Sequence, residues 1–345
     1  MTSDTYLNWV MSNTNTVFWC DSADQSELKQ ALQRGALGVT TNPFLTSVAL
    51  SRNSGKWAAE VNSILAKNLA AEQKAEELTR MVLAPGASMY RPIYDQTNGK
   101  AGYVCAQLNP LHAGEREAMM AMARRFHSWA PNIAVKLPAV AAGLDVMEDC
   151  IAEGITACAT ISFTVPQVLA IAERCRAGRQ RAVRKGIMPG KCYAVIMIGR
   201  LDDYLREVAN DNKVPVSESD IRQAGLAVTK RAYRIYQERK YEAVLLIAAL
   251  RGSYHLTELA GAGLIMSMTS AAQEWFIAED HSRKERIDSE IAPDVVERLS
   301  AMPEFVKAYE PEGMKPADFI SYGASQRTLS QYIEAGWKLL EGFKY

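Results

Sequence analysis

At 345 residues the chain is long for one domain, but barrels of about 250 residues or more are common, so a single domain over 1–345 is expected. Its 39 basic and 39 acidic residues cancel, which removes the global field that would hold a nucleic acid or an anionic membrane, and any phosphate must be bound locally. The chain has no apolar run of about 18 residues, and its start, MTSDTYLNWV, lacks the basic-then-apolar order of a secretion signal, so a soluble cytoplasmic protein is expected.

Eight short apolar runs follow one another, each succeeded by a segment that reads as helix. They are VFWCD (17–21), GVTTN (38–42), GYVCAQLN (102–109), IAVKLP (133–138), ITACATISF (155–163), CYAVIMIGR (192–200), AVLLIAALR (243–251) and GLIMSMTS (263–270). Several are apolar almost throughout, the pattern of parallel strands covered by helices. Turn signals separate the units: Gly35 and Gly38, Pro131 and Asn132, Gly154, then Gly261 and Gly263. Eight βα units, with no GxGxxG after the first strand, predict a (β/α)8 TIM barrel with additional helices rather than a doubly wound sheet. The additional helix falls in insertions at about 44–95 and 201–240 and in a C-terminal extension over 290–345. Within that extension, SQRTLSQYIEAGWKLLEGF carries apolar residues at helical spacing and is expected to pack across the barrel. Apolar faces on the added helices suit either a homodimer or packing on the barrel.

The six cysteines are scattered, without a CxxC pair, and the four histidines form no HxxxH pair. Reduced thiols, no metal site and no cofactor are the expectation. The basic stretch from Arg174 to Lys191 has no interleaved aromatic residue, so it reads as a solvated helix end and not as a nucleic-acid patch.

In such a barrel the chemistry sits at the C-terminal ends of the strands. Those ends carry Asp21, Thr41, Asn42, Gln107, Asn109, Lys136, Thr160, Ser162, Arg200, Arg251, Ser267 and Thr269. Lys136 is the odd member, because a charged side chain within Ile133-Ala134-Val135-Lys136-Leu137-Pro138 costs several kcal/mol unless paired or neutral. Desolvation and neighbouring arginines would push its pKa down, and a neutral amine is the form that attacks a carbonyl carbon. A lysine paired with a carboxylate such as Asp21, or one snorkelling outward, gives the same pattern, and spacing alone leaves these readings open. Asp21 is free for proton transfer if Ser22 or Asp24 caps the following helix. Arg200 and Arg251 close neighbouring strands and suit a phosphate dianion.

These motifs resemble one family. Phe18-Trp19-Cys20-Asp21-Ser22-Ala23-Asp24, Gly38-Val39-Thr40-Thr41-Asn42-Pro43, and Val135-Lys136-Leu137-Pro138 with Gly143-Leu144 and Glu153-Gly154-Ile155 are similar to transaldolase and its relative fructose 6-phosphate aldolase, in order from about residue 17 to 270. The resemblance implies that Lys136 forms a Schiff base, Asp21 is the general acid/base and Asn42 binds substrate hydroxyls. It makes Gln107 and Thr160 the holders of a proton-relaying water, and Arg200 and Arg251 the phosphate-binding pair. It further implies a transfer of a three-carbon dihydroxyacetone unit between sugar phosphates.

The sequence departs from the family at several of these positions. Gln107 stands where transaldolases carry glutamate and the aldolases glutamine; Cys158 replaces an asparagine; Val195 replaces a serine; Met197 replaces a phenylalanine or tyrosine. Direct aldol cleavage, and sugar-phosphate binding without turnover, are the competing expectations.

Overall fold

Each of the eight expected runs contains one strand of a closed parallel barrel, formed in chain order. The strands are β1 (Val17–Asp21), β2 (Val39–Thr40), β3 (Val104–Gln107), β4 (Ile133–Pro138), β5 (Ala157–Thr160), β6 (Cys192–Met197), β7 (Val244–Ala248) and β8 (Ile265–Met268). Pairing of Val17 with Ile265 and of Cys20 with Met268 joins β1 to β8 and closes the ring. The computed structural model describes residues 4–52 and 54–344. Residue 53 of the expected 44–95 insertion, the first three residues and residue 345 of the expected tail lie outside the described residues.

Helix α1 (Tyr6–Asn13) precedes the barrel and α2 (Gln25–Gln33) joins β1 to β2. Between β2 and β3 lie α3 (Pro43–Arg52), α4 (Ser54–Leu65) and α5 (Ala71–Gln96). Single crossovers follow in α6 (Arg116–His127), α7 (Ala141–Ala152) and α8 (Val165–Arg184), then α9 (Ile198–Asp211) and α10 (Glu218–Glu238) between β6 and β7. After α11 (Tyr254–Thr257) and β8 come α12 (Ser270–Ala278), α13 (Pro293–Leu299), α14 (Pro303–Tyr309), α15 (Gly323–Tyr332) and α16 (Lys338–Glu341). A π-helical turn, Ile333–Trp337, joins α15 to α16.

Local chemistry explains the elements that matter for the site. Asp24 caps α2 by accepting from the Ser26 and Glu27 amides, so the capping duty falls on Asp24 and leaves Asp21 free at the end of β1. All six residues of β4 are buried, as expected of a strand inside a closed barrel under a helical coat. At the exit of β4, a Cβ on Gly143 would lie 1.9 Å from the Pro138 carbonyl oxygen, so only glycine lets α7 pack directly on the strand that carries Lys136. The tail turns back over the strand ends, where its π turn and α16 pack on α3 and α15 packs on α9.

Candidate active site

A small cavity of about 70 Å³ lies at the C-terminal ends of the strands, and Asp21, Thr40, Asn42, Lys136, Thr160, Met197, Arg200, Ser267 and Tyr332 are among its lining residues. Five of the seven residues expected from sequence therefore meet in one place. Gln107 adjoins them, register-paired with Lys136 across β3 and β4. Arg251 lies one cavity away: Arg200 also borders a second space of about 290 Å³, lined by Asp203, Tyr204, Glu207, Arg251, Arg327 and Gln331.

Lys136 is 5% exposed, which removes the snorkelling alternative. Its Nζ donates to the Thr41 carbonyl at 2.8 Å, and among the described residues no carboxylate comes within ion-pair distance of it. Burial lowers its pKa, as the sequence suggests. Attraction to Asp21, and to Tyr332, Cys158 and Cys105 where these are ionised, outweighs that effect and holds the amine above its ordinary value. The expectation of a lowered pKa is thus corrected for the resting site, in which Lys136 is an ammonium ion. Arg200 is not among the leading influences on this amine: its Nη1 donates to Gln331 Oε1 at 2.6 Å, and its guanidinium stands 5.5 Å from the Tyr332 ring centre.

Asp21 shares the cavity with this ammonium. Burial raises its pKa, while Lys136, the hydrogen bond from Thr40 and the more distant Arg200 pull it back without cancelling the rise. Thr40 Oγ1 donates to Asp21 Oδ1 at 2.8 Å and, its own proton used, accepts from Ser267 Oγ at 2.6 Å. A carboxyl raised toward neutrality, beside an amine that must lose a proton before it attacks, is a matched pair for proton exchange.

Two side-chain oxygens near Lys136, Gln107 Oε1 and Thr160 Oγ1, are fully buried and have no partner among the described residues. Buried polar atoms of this kind are rare in native structures and mark a place where a substrate or water is received. Asn42 uses its Oδ1 to accept from the Leu45 amide at 2.9 Å at the start of α3, which leaves its amide nitrogen for the cavity. Arg200 occupies the first turn of α9, because β6 ends at Met197 and the chain coils at once. Arg251 is clamped by Asp203, with Nε and Nη2 donating to Oδ2 at 2.9 and 2.7 Å.

Other strand-end candidates do structural work. Thr41 Oγ1 donates to the Cys105 carbonyl, Ser162 Oγ to that of Val195, Asn109 Nδ2 to Glu72, and Thr269 caps α12. Three features escape sequence reasoning. Tyr332 arrives from the tail with nothing in its periodicity to mark it. Ile161 and Ala249, directly after β5 and β7, have φ of 58° and 62°, a strained backbone for side chains with a Cβ. His255, one of four isolated histidines, is fully buried: its Nδ1 accepts from the Arg251 amide at 3.2 Å and its Nε2 faces Asp202 Oδ2 at 3.1 Å. It thereby fixes the backbone of Arg251.

A larger cavity, about 700 Å³, opens at the opposite end of the barrel among Trp19, Tyr103, Lys191 and Tyr193. It contains none of the expected site residues, and strand polarity favours the smaller one as the reacting centre.

Comparison with known proteins identifies the family. Transaldolase 2 of Streptomyces avermitilis is 25% identical over 238 residues, covering 66% of this chain and 63% of that protein. The transaldolase of Thermobifida fusca is 25% identical over 243 residues, 66% of this chain and 64% of that protein. That of Neisseria gonorrhoeae is 26% identical over 233 residues, 64% and 63% respectively. The matched region spans less than two thirds of the length of these relatives. The family described as transaldolase/fructose-6-phosphate aldolase matches residues 18–316, a stretch that holds all seven residues expected from sequence. The chain belongs to the transaldolase/fructose-6-phosphate aldolase family.

Proposed function

We propose that this protein is a transaldolase that moves a three-carbon dihydroxyacetone unit from a ketose phosphate to an aldose acceptor through a Schiff base on Lys136. The observation that carries this reading is a buried amine, unpaired with any carboxylate among the described residues, sharing a cavity with a raised carboxyl.

Lys136 first gives a proton to Asp21 and adds as a neutral amine to the C2 ketone. Loss of water yields an iminium ion, an electron sink for the next step. Asp21, having passed its proton on to solvent, takes the proton of the C4 hydroxyl as the C3–C4 bond breaks. The bond pair enters the iminium to give an enamine, and an aldose phosphate leaves. The enamine then adds to the carbonyl carbon of the acceptor, and hydrolysis frees the lysine. The lysine cavity, about 70 Å³, suits the three-carbon fragment. The adjoining space bordered by Arg200 and Arg251 suits the phosphate end, where a guanidinium fork binds a dianion well. Gln107 and Thr160, with their unpaired oxygens, hold the water gained and lost at C2.

Incubation with fructose 6-phosphate followed by borohydride should add a three- or six-carbon mass to the peptide containing Lys136. Lys136→Ala should abolish both adduct and turnover, and Asp21→Asn should cut turnover by about 10²- to 10⁴-fold. Full activity in Lys136→Ala would sink the reading.

A further inference from the structure

We propose that the hydroxyl of Tyr332 shuttles the proton between nitrogen and oxygen when Lys136 forms its imine, and so that the C-terminal segment supplies part of the active site. The proposal rests on the Schiff-base reading above. Tyr332 lies beyond the 18–316 stretch that matches the family, so the family's pattern says nothing of it.

Several observations converge on this residue. Tyr332 is 3% exposed and borders the same cavity as Lys136, Asp21 and Thr160. In its ionised form Tyr332 would act on the Lys136 ammonium more strongly than Cys158, Cys105 or Asp21. Its placement is built in: Tyr332 is the last residue of α15, and the π turn Ile333–Trp337 follows at once. Such turns are uncommon and recur at functional sites. Within the turn, a Cβ on Gly336 would sit 2.9 Å from both the Phe44 nitrogen and Pro43 Cβ. The tail is therefore seated hard on the corner that follows Asn42.

The surrounding chemistry favours a proton carrier here. The walls contributed by β6 and β7 are apolar, with Val195, Met197, Leu246 and Ala248 facing the cavity. The other hydroxyls, those of Thr40, Thr160 and Ser267, are aliphatic and do not ionise in water, whereas a phenol and an alkylammonium ion release protons in nearly the same range. Arg200, with its guanidinium 5.5 Å from the ring, stabilises a transient phenolate.

The step balances as follows. The lysine nitrogen pair bonds to C2 as the carbonyl π pair moves to oxygen; that oxygen takes the phenol proton, and the phenolate takes the proton released by nitrogen. In dehydration the C–O bond breaks as the phenol protonates the departing hydroxyl, water leaves, and the nitrogen pair closes the C=N bond. Iminium and phenolate remain as a charge-balanced pair, and hydrolysis retraces the path.

Tyr332→Phe keeps the ring and the closure of the cavity and removes only the hydroxyl. In rapid-quench experiments with fructose 6-phosphate and borohydride, the Lys136 adduct should form about 10²-fold more slowly than in the parent, the usual weight of a positioned proton carrier. KM should change little, and the pH profile of adduct formation should change shape. A Tyr332→Phe protein that forms adduct at the parental rate with the parental profile reduces Tyr332 to a lid and overturns the proposal. A parent protein that gives no adduct at all instead overturns the Schiff-base reading, and this proposal with it.

Discussion

Asp21 is the residue on which opposing effects are most finely set. Burial drives its carboxyl upward, and Lys136, Thr40 and Arg200 each hold the anion partly in check. As the proposed base for C–C cleavage, Asp21 would have to be ionised, so turnover should fall as pH drops through its raised pKa. The acid limb should therefore lie above the ordinary carboxylate range of about 4. Thr40 Oγ1 donates to Asp21 Oδ1, a bond that favours the ionised form over the neutral one, and a donor lost is stabilisation of the anion lost. Thr40→Val, close in shape, should accordingly move the acid limb to still higher pH and leave the plateau rate within a few-fold. A pH profile of kcat/KM measures this, and an unmoved or downward-shifted limb would remove Asp21 from its role as base. Lys136 itself was legible at this scale because one charge in an apolar strand has few explanations. Thr40 was not, since nothing in GVTTN tells which threonine faces the carboxylate.

At the scale of elements, one amide ties together the strands that carry the chemistry. Gln167, fully buried in α8, accepts from the Phe163 amide and the Thr164 hydroxyl. It donates to the carbonyls of Ala139 and Ile161, which follow the ends of β4 and β5. The strained turn at Ile161 is thus clamped beside Thr160, and Thr160 is register-paired with Pro138. Gln167→Leu fills the same space but leaves these groups unpaired, at about 1–3 kcal/mol for each group that finds no water. Chemical denaturation should register a loss of that size or more, and turnover should fall with it as Thr160 loses its position. A variant equal to the parent in both would show that the turn holds itself. Strand cores were readable because buried parallel strands are apolar runs. Their ends were not: Ile198-Gly199 continues the apolar pattern of β6, yet the chain is already helical there, and Arg200 belongs to α9.

For the whole molecule, eight βα units were enough to anticipate a closed barrel, because repetition of a pattern survives errors at its edges. The tail was legible as amphipathic helix, but helical spacing identifies a face and not which side chain enters a cavity, so Tyr332 stayed hidden. Its arrival has a consequence for the reaction. The lysine cavity holds about 70 Å³ beneath Tyr332, against about 700 Å³ at the far end of the barrel, so an enamine on Lys136 has little room for bulk water. Gln107 in the third strand, by its likeness to the aldolases, points toward direct release; the small cavity points toward retention, because a shielded intermediate is protected from side reactions. We expect retention to win. With fructose 6-phosphate alone, the protein should release about one equivalent of glyceraldehyde 3-phosphate per site and then stall, and an added aldose phosphate acceptor should restore steady turnover. Continuous release of dihydroxyacetone without acceptor, at a rate matching that with acceptor, would instead make the enzyme a direct aldolase and assign the deciding influence to Gln107.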